Sequence, residues 1–225
     1  NQLLALIDRF VTERLIPRES ELAESGSLPE DILDEMKAMG LFGLTIPEEY
    51  GGLGLTMEEE IEVAISLGKT SPAFRSVMGT NNGIGSAAIV FNGTEEQKKR
   101  YLPKYASGEW ISCFCLTEPE AGSDAASLKT SAVRDGDHYV INGTKRYITN
   151  AKVADTFNVM ARTNPSIKGA RGISSFIVEK DFKGITLGSV DKKMGQAGSM
   201  TCDVIFEDCR VPAENIIGAE GEGFI

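Results

Sequence analysis

Residues 94–124, TEEQKKRYLPKYASGEWISCFCLTEPEAGSD, contain the point at which the chain changes from helical to strand texture. Thr94 and Gln97 have the spacing of a capping box, in which hydroxyl and amide side chains satisfy the backbone N–H groups that a helix start leaves unpaired. From Trp110 onward, short runs of β-branched and aromatic residues alternate with turn residues, the pattern of strands. The boundary between the two textures is placed near Gly108.

Working back from there, Thr56 with Glu59 repeats the box. Ser27 with Glu30 gives another around Pro29, with Gly40 as a stop after Ile32, Met36 and Met39. Pro47–Gly54 (PEEYGGLG) must be a loop, since three glycines and a proline in eight residues defeat regular structure. Working forward, strands are predicted at 110–116, 138–141, 146–149, 157–161, 174–178 and 200–206. Asn142-Gly143 reads as a type I′ hairpin turn, because both residues tolerate positive φ. Helices first and strands afterwards argue for an α+β chain of two domains, residues 1–108 and 109–225, rather than a βαβ weave. Gly83-Ile84-Gly85-Ser86-Ala87-Ala88 satisfies a dinucleotide-binding pattern, but no hydrophobic strand precedes it, and small residues that let helices pack closely explain it better.

Composition narrows the function. The 225 residues carry a formal net charge of −10, so nothing in the overall charge invites nucleic acid or an anionic membrane, and an anionic ligand has to be met locally. Neither an apolar run of bilayer length nor a basic-then-apolar leader is present. Four cysteines, Cys113, Cys115, Cys202 and Cys209, and the single His138 form neither a CxxC pair nor a Cys/His cluster, so no metal site is expected. Cys113 and Cys115 fall on one face of a strand as small buried hydrophobes, in keeping with reduced thiols, and His138 reads as a strand-end surface residue. The amphipathic pattern already running at Leu3, Leu4 and Ile7, and the open finish at Gly223-Phe224-Ile225, read as a piece of a longer protein.

Two segments carry chemistry. In Phe114–Asp124 an apolar strand runs into a loop of Thr, Gly, Ser and carboxylates, a corner that exposes backbone N–H groups and hydroxyls. Such donors suit the pyrimidine edge of a flavin, which gains negative charge on reduction. A polar surface turn has the same composition. In Gly143–Asn150 the period of a strand puts Tyr147 and Thr149 on one face, an aromatic ring beside a hydroxyl, which suits a planar heterocycle. An ordinary cross-strand Tyr/Thr pair has the same spacing.

Taken together the motifs resemble the acyl-CoA dehydrogenase family over essentially the whole chain. They are Ile46–Gly52 (IPEEYGG), Gln97–Pro103 (QKKRYLP), Thr117–Asp124 (TEPEAGSD), Ile141–Gly143 with Tyr147–Asn150, and Phe206–Pro212 with Gly221–Phe224. The resemblance implies an N-terminal helical domain and a barrel-like middle β-domain, followed in the family by a second helical domain, with FAD between the middle and last domains. It implies that Phe114, Cys115, Leu116, Thr117, Gly122 and Ser123, with Tyr147, Ile148 and Thr149, hold the cofactor. Thr117 would bond the pyrimidine side, Thr149 would reach flavin N5, and Ser123 would also touch the thioester. Phe114, Tyr147 and Glu120 replace the family's frequent Tyr, Trp and Gly.

The reaction implied is α,β-dehydrogenation of an acyl-CoA, a carboxylate taking the α-proton while hydride leaves to N5. That base is a glutamate the family carries beyond the position of Ile225, so neither Glu118 nor Glu120 is assigned the role, and this stretch alone is expected to be inactive. The implied partners are an electron-transferring flavoprotein and further copies of the chain, as homotetramer or homodimer. The implied setting is a bacterial cytoplasm or the mitochondrial matrix. An oxygen-using acyl-CoA oxidase, a non-enzymatic scaffold and a nucleic-acid-associated relative are the competing readings, the last opposed by the charge.

Overall fold

The computed structural model describes residues 2–224; Asn1 and Ile225, the outermost residues of the two expected domains, lie outside the described residues. Seven α-helices come first: α1 Gln2–Phe10, α2 Glu19–Ser25, α3 Glu30–Ala38, α4 Met57–Leu67, α5 Pro72–Asn82, α6 Ala87–Asn92 and α7 Glu95–Ser107. Eight strands follow: β1 Ser112–Cys115, β2 Ser131–Asp135, β3 His138–Thr149, β4 Thr156–Arg162, β5 Ile173–Glu179, β6 Ile185–Leu187, β7 Thr201–Pro212 and β8 Ile216–Ile217. The α+β order expected from the sequence is therefore the order observed.

Helix starts follow the side-chain chemistry. Thr56 and Thr94 both form complete capping boxes, with Glu59 and Gln97 returning the bond to the cap N–H. Ser27 does not: α3 opens from Pro29, which offers no side-chain acceptor, and the Ser27 amide is instead taken by Ser25 Oγ at 3.3 Å. One helical core gathers Ile7, Val11, Leu15, Ile32, Met36, Phe42, Leu67 and Phe74. A second, with Tyr101, Leu102 and Tyr105 of α7 against Ile177 and Ile217, welds the helices to the sheet.

The sheet runs β6-β7-β3-β2-β4-β5-β8, with β1 added parallel to β4. Its end strands β6 and β8 do not pair with one another, so it stays open, and the barrel-like closure expected from the family resemblance is not found. Its inward residues alternate with period two, as in Phe157, Val159 and Ala161 of β4 and Phe176 and Val178 of β5.

Asn142-Gly143 is not a hairpin turn. The segments 138–141 and 146–149 are one strand, β3, and Asn142-Gly143 lies inside it at a register shift against β7. The turn that does reverse the chain is Gly136-Asp137, where β2 and β3 pair from Asp135↔His138, and only Gly136 has positive φ. Asn142 binds Asp208 from both ends of its amide, so this Asn-Gly serves a bulge. At Gly143 φ is +152°, and an added Cβ would come within 2.7 Å of Thr130 Cα.

Of the two glycines in residues 83–88, it is Gly85, in the turn after α5, that makes the close approach, and it makes it to a strand rather than to another helix. A Cβ on Gly85 would lie 2.1 Å from Ser112 Oγ of β1.

Gly143→Ala is expected to lower the unfolding free energy by roughly 3 kcal/mol, from backbone strain plus the collision with Thr130. Gly136→Ala, with open space around it, should cost only about 1 kcal/mol. Urea unfolding of the two variants measures the difference, and equal losses would contradict the bulge assignment.

Candidate functional site

β1 has two unlike faces. Cys113 and Cys115 point into the sheet core with no exposed surface, while Phe114 and Leu116 are half-buried on the opposite face. Parallel pairing sets Phe114 beside Asn158 of β4. A cavity of about 350 Å³ opens on this side, lined chiefly by Phe114, Leu116, Asn158, Met160, Phe91 and Phe224. Asn158 is held by Ser175, whose hydroxyl donates to its Oδ1 at 2.6 Å.

Past Leu116 the chain runs beside β3. Arg146 N donates to Thr117 O at 2.8 Å, and Lys145 Nζ donates to Leu116 O at 3.2 Å. Phe114–Thr117 and Tyr147–Thr149, the two segments singled out in the sequence, are thus neighbours. β3 bulges between Lys145 and Ile148, and Tyr147 sits in the bulge with φ +58°. A tyrosine in this left-handed conformation is strained, and such strain collects at functional positions. The residue is 60% exposed, and its ring centroid lies 4.7 Å from the Arg146 guanidinium, itself bonded to Asp203 at 2.7 Å. Ile148 turns into the core, and Thr149, half-exposed, pairs with Thr201 of β7.

The nine cofactor residues expected from the resemblance therefore divide. Phe114, Leu116, Thr117 and Thr149 are half-exposed and Tyr147 is exposed, and of these Phe114 and Leu116 line the cavity. Cys115 and Ile148 are buried in the sheet core, so only their backbone is available to a ligand. Gly122 and Ser123 form the exposed tip of the loop after β1, whose base is closed by paired backbone bonds between Glu118 and Ala121.

What holds this loop was not visible in the sequence. Lys145 is wholly buried, Glu118 is 7% exposed, and Nζ lies 2.8 Å from Oε1. Glu118 also accepts from Thr130 N at 2.9 Å and Lys129 N at 2.6 Å. Burial pushes the Glu118 carboxyl up, but Lys145 and the hydrogen bonds outweigh it and hold the carboxyl below its ordinary value. An ionised carboxylate locked this way is an anchor, which agrees with leaving Glu118 out of the catalytic role. Glu120 is on the surface, paired with Lys129. Period-two alternation would have placed Lys145 inward, but lysine in a strand interior carries no signal of its own.

Two buried asparagines fix the site to the helices. Asn81 of α5 donates to Tyr105 O and Trp110 O and accepts from Ser112 N and Oγ, at 2.8–3.0 Å. Asn150, at φ +66°, donates to Ser76 O, Val77 O and Thr80 Oγ1 at 2.9–3.2 Å. All four cysteines are free and buried; burial pushes the Cys113 thiol well up and Cys209 to about 11. Among the described residues no cluster of His, Cys, Asp or Glu could hold a metal ion, and no helix is long and apolar enough to cross a membrane.

The family model of the acyl-CoA dehydrogenase N-terminal domain matches residues 1–109, and that of the middle domain matches residues 113–209. The chain belongs to the acyl-CoA dehydrogenase family. It is 41% identical over 219 residues to the short-chain specific acyl-CoA dehydrogenase of Clostridium acetobutylicum, covering 97% of this chain and 58% of that relative. It also superimposes on a chain in a structure described as the electron transferring flavoprotein of Acidaminococcus fermentans, with a TM-score of 0.94 and 40% identity. That match covers 99% of this chain and 58% of the other. An acyl-CoA dehydrogenase complexed with FAD from Bacillus anthracis matches with a TM-score of 0.89 and 38% identity, over 99% of this chain and 38% of that one. The chain thus spans little more than half the length of the first relatives it matches.

The Glu118–Lys145 pair of this family member gives a pH prediction. A carboxyl whose folded pKa is depressed contributes stability above its unfolded pKa, and that stability is lost as pH falls through the folded value. Glu118→Gln should therefore flatten the acid limb of the stability profile below about pH 4.5. Lys145→Met, which strands a buried carboxylate, should cost roughly 3–5 kcal/mol at pH 7 by chemical denaturation.

Proposed function

We propose that the protein is an FAD-dependent acyl-CoA dehydrogenase that oxidises an acyl-CoA thioester to the 2-enoyl-CoA. In this reading residues 1–108 form its helical unit and 109–225 its β-unit. The observation that carries the proposal is the adjacency of Phe114–Thr117 and Tyr147–Thr149, tied by the Arg146–Thr117 backbone bond. Membership of the family and the FAD-bound relative support the choice of cofactor.

The residues fit that group. Half-exposed Phe114 and Leu116 and the exposed Tyr147 ring give a flat ring system apolar contact, and the half-exposed Thr117 and Thr149 hydroxyls supply hydrogen bonds at its edges. FAD bound there supplies a two-electron acceptor for the hydride leaving the substrate β-carbon. Thr149 would donate toward the atom receiving hydride, Thr117 would hold the pyrimidine edge, and Ser123 would meet cofactor and thioester at the loop tip. In this reading donors carried on paired strand segments supply the charge stabilisation with little reorganisation.

The α-proton needs a separate base. Glu118 is engaged by Lys145 and two amides, so the carboxylate is proposed to come from the part of the relatives' length that this chain does not span. The electron acceptor is proposed to be an electron-transferring flavoprotein, the assembly a homodimer or homotetramer, and the setting a bacterial cytoplasm or the mitochondrial matrix. The likeness to a chain from the flavoprotein structure of Acidaminococcus fermentans favours that acceptor.

Anaerobic mixing of the full-length protein with acyl-CoA thioesters of graded chain length tests the reaction: bleaching of bound flavin is the expected result. Thr149→Val should slow that reduction about two- to ten-fold, the loss of one hydrogen bond of roughly 0.5–1.5 kcal/mol. Unchanged reduction kinetics would remove Thr149 from the mechanism.

A further inference from the structure

Two carboxylates and one guanidinium meet beside the bulge that carries Tyr147. Arg146 Nη1 donates to both Asp203 oxygens, at 2.8 and 2.7 Å, and Nη2 lies 3.9 Å from Asp191 Oδ1. Asp191 is fixed in turn by the Thr201 hydroxyl, which donates to Oδ2 at 3.0 Å, and Thr201 pairs with Thr149 in the ladder. Among the described residues neither acid has an ion-pair partner other than Arg146. The guanidinium carbon lies 4.7 Å from the centroid of the Tyr147 ring, so an anchored positive charge rests on an exposed ring whose backbone is left-handed. A guanidinium held by a carboxylate keeps this stacked geometry, whereas an unanchored one exchanges it for water.

We propose that Arg146 is a positioning residue that sets the redox poise of the bound cofactor through Tyr147. The inference rests on the flavin reading above, because it takes Tyr147 as the ring that meets the cofactor. A flavin gains negative charge on its pyrimidine edge as it is reduced, so nearby carboxylates oppose reduction and a nearby cation favours it. Arg146 acts in both respects. It offsets Asp203 and Asp191, and by lying against Tyr147 it draws electron density away from the ring a cofactor would touch. Without it two acids would stand unpaired beside Tyr147 and Thr149, in a chain whose net charge is already −10. Its own amide meanwhile donates to Thr117 O, so the residue that carries the charge also ties the two candidate cofactor segments together.

The test is the midpoint potential of FAD bound to the full-length protein, measured without substrate by equilibration with a reference dye. At a fixed poise Arg146→Met is expected to lower the ratio of reduced to oxidised flavin about three- to ten-fold, a fall of roughly 15–30 mV for a two-electron couple. Arg146→Lys keeps the charge and should stay within about two-fold of the wild type. Asp203→Asn removes one acid and should raise the ratio. In a Tyr147→Leu background the effect of Arg146→Met should shrink below about two-fold, because the ring that transmits it is gone. An unchanged ratio in Arg146→Met overturns the proposal. So does a ratio that fails to rise in Asp203→Asn, since mere loosening of the bulge shifts both variants the same way; this variant decides the matter if Arg146→Met does not retain FAD. An undiminished effect in the Tyr147→Leu background overturns it too, by making the arginine act directly rather than through the ring. Normal FAD binding with wild-type potentials throughout sinks this inference alone. Failure of the wild type to bind FAD sinks the functional reading together with it.

Discussion

The proposed ligand-facing surface depends on a charge pair inside the sheet. Lys145 has no exposed surface, and a buried ammonium is costly unless it is paired and hydrogen-bonded. It finds Glu118 Oε1 and Leu116 O, while Glu118 takes the Thr130 and Lys129 amides. Five residues from three stretches of chain are thereby held about one pair of charges: the end of β1, the middle of β3 and the entry to β2. Removing either charge leaves the other stranded, so the arrangement is all or nothing. That is the property a surface needs if Phe114 and Leu116 are to keep their place against Tyr147 and Thr149.

The pair fixes the site within the sheet; the asparagines fix the sheet against the helices. Asn81 joins the C-terminal end of α7 to the first residues of β1, and Asn150 reaches back to α5 from the residue after Thr149. Asn81 thus holds the start of β1 and Asn150 the residue just past the end of β3, the two strands that carry candidate ligand contacts. The left-handed conformations of Tyr147 and Asn150 bracket Thr149, so its direction is set by two strained residues and by ladder pairing with Thr201. Such over-determination is what holds a hydroxyl in one orientation before any ligand arrives.

Much of this was legible beforehand, and where it was not the reason is physical. Capping boxes at Thr56 and Thr94 are local chemistry, complete within four residues, so they could be read directly. Ser27 had the same letters, but Pro29 lies between it and the helix and carries the chain into α3 in an extended conformation, leaving the hydroxyl out of reach. Asn142-Gly143 tolerates a turn, but tolerance is also what a bulge requires, and contact with Thr130 decided between them. Strand β2 was missed because of its five residues only Ala132 is buried, so the apolar alternation that marks a strand is nearly absent. The segments 114–117 and 146–149 were legible as chemistry. Their adjacency, and the Lys145–Glu118 pair that enforces it, involve residues far apart in sequence and had no local signature.

Acidity and the proposed function pull against each other in this chain, and the structure resolves them by location. The net negative charge would repel a polyanionic thioester if it were spread evenly near the site. Instead, Glu118 is neutralised by Lys145, Asp203 is bonded to Arg146 beside Tyr147, and Glu120 is paired with Lys129. Glu118 and Glu120 of the loop and Asp203 beside the bulge are thus each paired with a cation, while Asp124 at the far end of the loop accepts from the Ser127 hydroxyl at 2.5 Å. A free carboxylate in the same place would oppose negative charge developing on a bound ring, so proton removal is best served from another element approaching the open side. Phe91, 80% exposed on the wall of the Phe114 cavity, marks that side as apolar surface not yet covered within this chain. In the proposed reaction, separating the hydride-facing wall from the proton-taking group lets each be tuned without disturbing the charge balance of the other.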